Sequence, residues 1–277
     1  MKENVAIFGQ PKSLIGIITE PEDKASKIKM PAFIFLNAGV IHRIGANRLH
    51  VRMARKFAEM GFIGFRFDLS GIGDSSFSEE DVPFEIRRVA ETQAAMDFLE
   101  KKHEISKFIL VGNCSGATTA FFAAKADKRV AGAVLINPQG PKKLLRYYMR
   151  LILLNPKFLY RFFSGKAKYK KEVHKISTQT RMGYKYDSED RYGSKELATD
   201  MELLITRGTK ILIVHCQWDP GLDFFKAKIG NTINKFSDEQ KLWTRIIPGI
   251  NHDFSLNHGQ ESLLANVTDW ASTIQWN

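Results

Sequence analysis

Three residues in this chain have the types and the order needed for covalent acyl chemistry: Cys114, Asp219 and His252. Cys114 stands in Gly112-Asn-Cys-Ser-Gly116, directly after the apolar run Phe108-Ile-Leu-Val111. A strand that turns into a helix through Gly-x-nucleophile-x-Gly raises the middle side chain above its sheet and aims the helix N-terminus at it. The turn leaves little room for a Cβ two residues to either side, so Gly112 and Gly116 bracket Cys114 rather than Ser115. A thiol in that position, beside an imidazole, is more acidic than a free one and can attack a carbonyl. A cysteine at a strand end is also often just a small buried hydrophobe, and spacing alone does not separate the two readings.

An elbow nucleophile needs a base, and the base needs an acid to orient it, in the chain order nucleophile, acid, histidine. Asp219 follows the apolar run Lys210-Ile-Leu-Ile-Val-His215, in the turn Gln217-Trp-Asp-Pro-Gly221. His252 sits in the turn-rich loop Pro248-Gly-Ile-Asn-His-Asp-Phe254, just after a further strand. Each of the three lies past the carboxyl end of a separate strand, where such sheets bind ligands. Asp219 next to Pro220 could equally cap a following helix, with Asp223 as the fallback acid. His258 is the runner-up base, and His215, inside an apolar strand, reads as a satisfied core residue. The oxyanion of an acyl intermediate would be held by the N–H of Ser115 and by a second N–H from Gly39 or Val40. This chemistry calls for no metal and no cofactor.

The elements that must carry these residues are legible as strand–helix alternation. Strands are expected at Val5–Phe8, Ser13–Thr19, Ala32–Leu36, Gly61–Phe67, Val130–Ile136 and Leu242–Ile247, besides the two already named. Helices are expected at Asn47–Met60, Phe84–Lys102, Ala117–Ala126 and Glu261–Trp276. Such alternation specifies a parallel sheet with right-handed crossovers. The alternation stops at Gln139 and resumes only at about 208, so residues 1–138 and 208–277 read as the core and 139–207 as an inserted helical lid.

The chain of 277 residues is long enough for one large core, and 44% hydrophobic with 26% charged residues is ordinary for a globular protein. Its formal charge is +11, and the stretch Pro141–Lys210 holds seventeen Lys and Arg against seven Asp and Glu. The excess is thus local, which suits an acidic partner at the lid better than nucleic acid along the whole surface. Arg43 and Arg48, near the first loop, read as solvated surface residues. No apolar run reaches membrane-spanning length, the first residues lack a signal-peptide pattern, and two cysteines fit a reducing compartment, so a cytoplasmic location is expected.

At this point the chain resembles the α/β hydrolases over almost its whole length. The elbow, the turn Asp68-Leu-Ser-Gly-Ile-Gly-Asp-Ser75 and the Asp219 and His252 loops carry the resemblance. More narrowly, Asn37-Ala-Gly-Val-Ile-His-Arg-Ile-Gly-Ala-Asn-Arg48 followed by Phe65-Arg-Phe-Asp-Leu-Ser-Gly-Ile-Gly-Asp-Ser75 is similar to the exosortase-associated hydrolases. That group has cysteine at the elbow and belongs to bacterial exopolysaccharide gene clusters; dienelactone hydrolases are a more distant cysteine-elbow relative. The resemblance implies an α/β-hydrolase fold and an esterase or thioesterase with a Cys114–His252–Asp219 triad. An acyltransferase using the same triad, and a silent binding protein on the same scaffold, are the alternatives. The implied substrate is a small acyl ester or thioester, with a carrier-protein or coenzyme A thioester docking on the basic lid as a further expectation.

Overall fold

The structure is a computed structural model that describes residues 1–9, 13–22, 30–78, 82–138, 197–217, 219–237 and 241–276. The lid expected at 139–207 falls outside the described residues up to 196. Eight strands form one sheet: β1 (Lys2–Phe8), β2 (Leu14–Glu20), β3 (Ala32–Leu36), β4 (Gly64–Phe67), β5 (Phe108–Asn113), β6 (Val130–Ile136), β7 (Lys210–Cys216) and β8 (Leu242–Ile247). Their order is β1-β2-β4-β3-β5-β6-β7-β8, with β1 and β2 antiparallel and every pairing from β4 to β8 parallel. The helices are α1 (Leu49–Glu59), α2 (Phe84–His103), α3 (Ser115–Ala126), α4 (Leu197–Thr206), α5 (Pro220–Ser237) and α6 (Asn257–Thr273).

The central strands are apolar without alternation because both faces are covered. All five residues of β3 are fully buried, as are Phe108 to Val111 of β5. On one face Phe33 and Phe35 of β3 meet Phe57 of α1, with the Phe33 and Phe57 rings stacked at 3.8 Å. On the other face α3 is built from small residues, and Gly116, Ala117, Ala120, Ala123 and Ala124 are all buried. Small side chains let its axis sit close to β5 and β6, which holds its first turn firmly against the sheet. β1, at the edge, alternates instead: Ala6 and Phe8 point inward while Val5 and Ile7 are exposed.

Two sequence boundaries are corrected. Helix α4 falls within the stretch assigned to the lid, yet Leu197, Met201, Leu204 and Ile205 are buried. Its Asp200 pairs with Lys125 of α3, and residues Met1–Gln139 and Lys195–Asn277 form one compact unit. An apolar stripe at helical spacing is thus used to close the core. Helix α6 begins at Asn257 rather than Glu261, which brings His258 into its first turn. β6 lies between β5 and β7, so Cys114 and Cys216 leave strands that are not neighbours, and both are free thiols. Among the described residues no helix is long and apolar enough to cross a membrane.

Candidate active site

Cys114 joins β5 to α3 with φ 57° and ψ −119°, a backbone conformation rarely taken by a residue with a side chain. Such a conformation costs about 1–3 kcal/mol and persists only where its surroundings impose it. Its N–H donates to Ile136 O at 2.9 Å, and its carbonyl accepts from Ala117 N at 3.1 Å. The flanking glycines are sterically required. A Cβ on Gly112 would lie 2.1 Å from the Gly116 carbonyl group, and one on Gly116 would lie 2.7 Å from Leu36 O. These contacts fix the register on Cys114, which is half-exposed, and leave Ser115 buried as the first residue of α3.

Asp219 is held where β7 ends. Its N–H donates to Cys216 O at 3.0 Å, its carbonyl accepts from Leu222 N at 3.1 Å, and its Oδ1 accepts from Gly221 N at 2.8 Å. It therefore does start α5, as its place before Pro220 suggested. Its second oxygen is turned to His252, with Oδ2 2.5 Å from Nδ1. One residue fills both roles because the cap and the ring approach different carboxylate oxygens. Burial works to raise the pKa of Asp219, but the neighbouring His215 and His252 and the Gly221 N–H outweigh it and bring it down to about 2. Asp223, the fallback acid, lies exposed in the first turn of α5.

With Nδ1 engaged by Asp219, the other ring nitrogen of His252 is left for a further partner, and the Cys114 side chain is near enough to the ring to raise its pKa. Burial disfavours the charged ring, yet Asp219 and Cys114 hold its pKa up at about 10. The loop that presents it is tied down on several sides. Asn137, at the end of β6, donates from Nδ2 to His252 O at 3.0 Å and accepts Cys216 N at 2.8 Å. Asn251 accepts Ser255 N at 3.0 Å, and Asn47 donates to Asp253 O at 3.0 Å. His258 is exposed on α6, away from this arrangement of bonds.

The loop after β3 is organised by a buried carboxylate. Asp68 Oδ1 accepts from Arg43 N at 2.5 Å and Asn37 Nδ2 at 3.2 Å, and Oδ2 accepts from Arg43 Nη1 at 2.5 Å. Arg43 also reaches Asp74. Burial disfavours its charge, but the two carboxylates more than compensate and raise its pKa. Arg43 is thus a clasp between the first and second loops rather than the solvated surface residue expected. A sequence has no mark for this, since only the fold brings 43 and 68 together. At the loop crest, Gly39 N donates to Ser115 Oγ at 2.7 Å, and Val40 is largely exposed.

His215 corrects a second expectation. It is buried, but neither ring nitrogen makes a hydrogen bond of ordinary geometry. Its Nδ1 lies 3.5 Å from Asp219 Oδ1, so two imidazoles flank one carboxylate. It also lines a cavity of about 240 Å³ between β7, β8 and α5. Among the described residues no cluster of three His, Cys, Asp or Glu is arranged to hold a metal ion.

Residues 40–206 match the model of the family described as alpha/beta hydrolase fold. Solved structures share the architecture over nearly the whole chain. Proline iminopeptidase of Mycobacterium smegmatis is 15% identical with a TM-score of 0.60, over 98% of this chain and 98% of that one. Est1E of Butyrivibrio proteoclasticus, solved with ferulic acid bound, is 16% identical with a TM-score of 0.56, over 94% of each. An alpha-beta serine hydrolase homologue from Coxiella burnetii is 16% identical with a TM-score of 0.54, over 99% and 97%. Identities this low carry the fold alone. A search of curated proteins returned no match.

Proposed function

Because this chain belongs to the alpha/beta hydrolase fold family, we propose that it hydrolyses a small acyl ester or thioester through an acyl-cysteine intermediate. One observation carries the reading: Cys114, Asp219 and His252 stand beyond the carboxyl ends of three strands, with Asp219 Oδ2 2.5 Å from His252 Nδ1 and the Cys114 side chain acting on the same ring. The thiol proton passes to His252 Nε2, and the sulfur attacks the acyl carbonyl, forming a C–S bond and an oxyanion. Asp219 holds the ring in orientation and stabilises its charge. The backbone N–H groups of Ser115 and of the first loop receive the oxyanion. When it collapses, the C–O or C–S bond to the leaving group breaks, and His252 returns the proton to the departing alkoxide or thiolate. A water molecule then attacks the Cys114 thioester while giving a proton to His252. The carboxylic acid leaves as the C–S bond breaks, and the sulfur recovers its proton.

The proton that the ring takes up is held firmly, because Asp219 and Cys114 raise the pKa of His252 to about 10. The motifs Asn37–Arg48 and Phe65–Ser75 support the narrower kinship with exosortase-associated hydrolases and, with it, a substrate in polysaccharide assembly. The positive excess of Pro141–Lys210 suits an acidic carrier protein or coenzyme A thioester as donor.

The test is p-nitrophenyl release from short acyl esters. Wild type is expected to turn over, Cys114→Ala to fall to the uncatalysed rate, and His252→Ala to lose about 1000-fold or more. Turnover by Cys114→Ala close to wild type would overturn the assignment. If no ester or thioester is turned over by wild type, the chain is an acyltransferase that acts only with its partner or a binding protein on this scaffold.

A further inference from the structure

The hydrogen bond between Gly39 N and Ser115 Oγ, 2.7 Å long, joins the crest of the first loop to the first residue after the proposed nucleophile. The crest is a tight turn closed by Ile41 N donating to Ala38 O at 3.0 Å, with Gly39 at φ 57°. The two ends of the loop are held elsewhere, by Asn37 and Arg43 on Asp68. Across the crest itself, Ser115 Oγ supplies the bond to the elbow. This bond engages the Gly39 N–H, which the sequence offered as one of two possible oxyanion donors. The N–H of Val40 makes no hydrogen bond to any described residue, and Val40 is 73% exposed at the turn.

We propose that Ser115 is a positioning residue for the oxyanion hole. Its hydroxyl latches Gly39 so that the Val40 N–H stands fixed opposite the Ser115 N–H. The proposal rests on the acyl-cysteine reading above and adds to it the identity of the second donor and the group that holds it in place. The physical need is preorganisation. Donors stabilise a developing oxyanion only if they already stand about 2.7–3.1 Å from where it forms, and a loose turn would have to be ordered at every acylation. Ser115 therefore serves the site twice, its N–H as a donor and its Oγ as the anchor of the other donor.

The role is separable from those of Cys114 and His252, because alkylation of a thiol by iodoacetamide forms a C–S bond and expels iodide without passing through an oxyanion. Acylation by a p-nitrophenyl ester does pass through one. In Ser115→Ala the acylation rate is expected to fall about tenfold, the scale of one net hydrogen bond, mainly in kcat with KM little changed. The rate of Cys114 alkylation by iodoacetamide should stay within about twofold of wild type, and Ser115→Thr, which keeps the Oγ, should recover most of the ester rate. Urea midpoints of the variants establish that they are folded. Equal slowing of both reactions in a folded Ser115→Ala would make Ser115 a general structural residue, and slowing of neither would mean that the latch does no work; either result overturns the proposal. Acylation that persists in Cys114→Ala would instead defeat the acyl-cysteine reading itself, whatever Ser115 does.

Discussion

Asp219 divides its two oxygens between a helix start and a histidine, and the charge on that histidine follows. His252 is raised from 6.5 to about 10, so the stabilisation its charge gives is full below about pH 6.5 and fades as the pH rises through 10. Asp219 is lowered from 3.8 to about 2, so its share is full above about pH 3.8 and is lost as the pH falls through 2. The stability gap between wild type and His252→Ala, from urea unfolding at several pH values, should be widest between these two limits. A gap that stays level from acid to alkali would contradict the pairing. Asp219→Asn should keep the fold but lower kcat for ester hydrolysis by about 10,000-fold, since an amide can leave the ring in the wrong tautomer; a loss under tenfold would remove Asp219 from the mechanism. The proposed nucleophile, acid and base could be picked out in the sequence because the chemistry restricts their types and their order along the chain. His215 was not, because the same strand pattern fits a histidine with partners and one left facing a carboxylate. The bond that engages the Gly39 N–H was not either, since its partner Ser115 is 76 positions away.

Single elements carry the precision of the site. The elbow tolerates no Cβ at position 112, where one would fall 2.1 Å from the Gly116 backbone. Gly112→Ala must therefore push β5 and α3 apart, and is expected to destabilise by about 2 kcal/mol or more and to abolish ester turnover. A variant as stable and as active as wild type would show that the packing of α3 on β5 is looser than these contacts. Asn137 is the corresponding tie between β6, β7 and the His252 loop. Removing its side chain in Asn137→Ala leaves Cys216 N and His252 O without that partner, a cost of about 1–3 kcal/mol by urea unfolding, with kcat falling more than KM rises. A change in neither quantity would mean that the loop is fixed by Asn251 and Asn47 alone. The strands and most helices could be read from apolar runs and helical spacing, because burial on both faces leaves a continuous signal. Helix α4 was misassigned because the break in strand alternation before it resembled one long insertion. Only its packing against α3 and α5 marks it as core.

At the scale of the described residues, a mostly parallel sheet carries Cys114, Asp219 and His252 beyond the carboxyl ends of β5, β7 and β8, and a strongly basic stretch of sequence follows β6. Fold class was legible at this scale since alternating strands and helices admit few topologies. The identity of the acyl group was not, because it depends on the shape of the space above Cys114 rather than on any motif. The central claim is that an acyl group passes through the sulfur of Cys114, and intact-mass spectrometry after mixing with p-nitrophenyl esters and acyl thioesters tests it most directly. Wild type should gain the mass of one acyl group transiently, His252→Ala should show slowed formation and release, and Cys114→Ala should gain nothing. An adduct of the same mass on Cys114→Ala, mapped to Ser115 or elsewhere, would contradict the account.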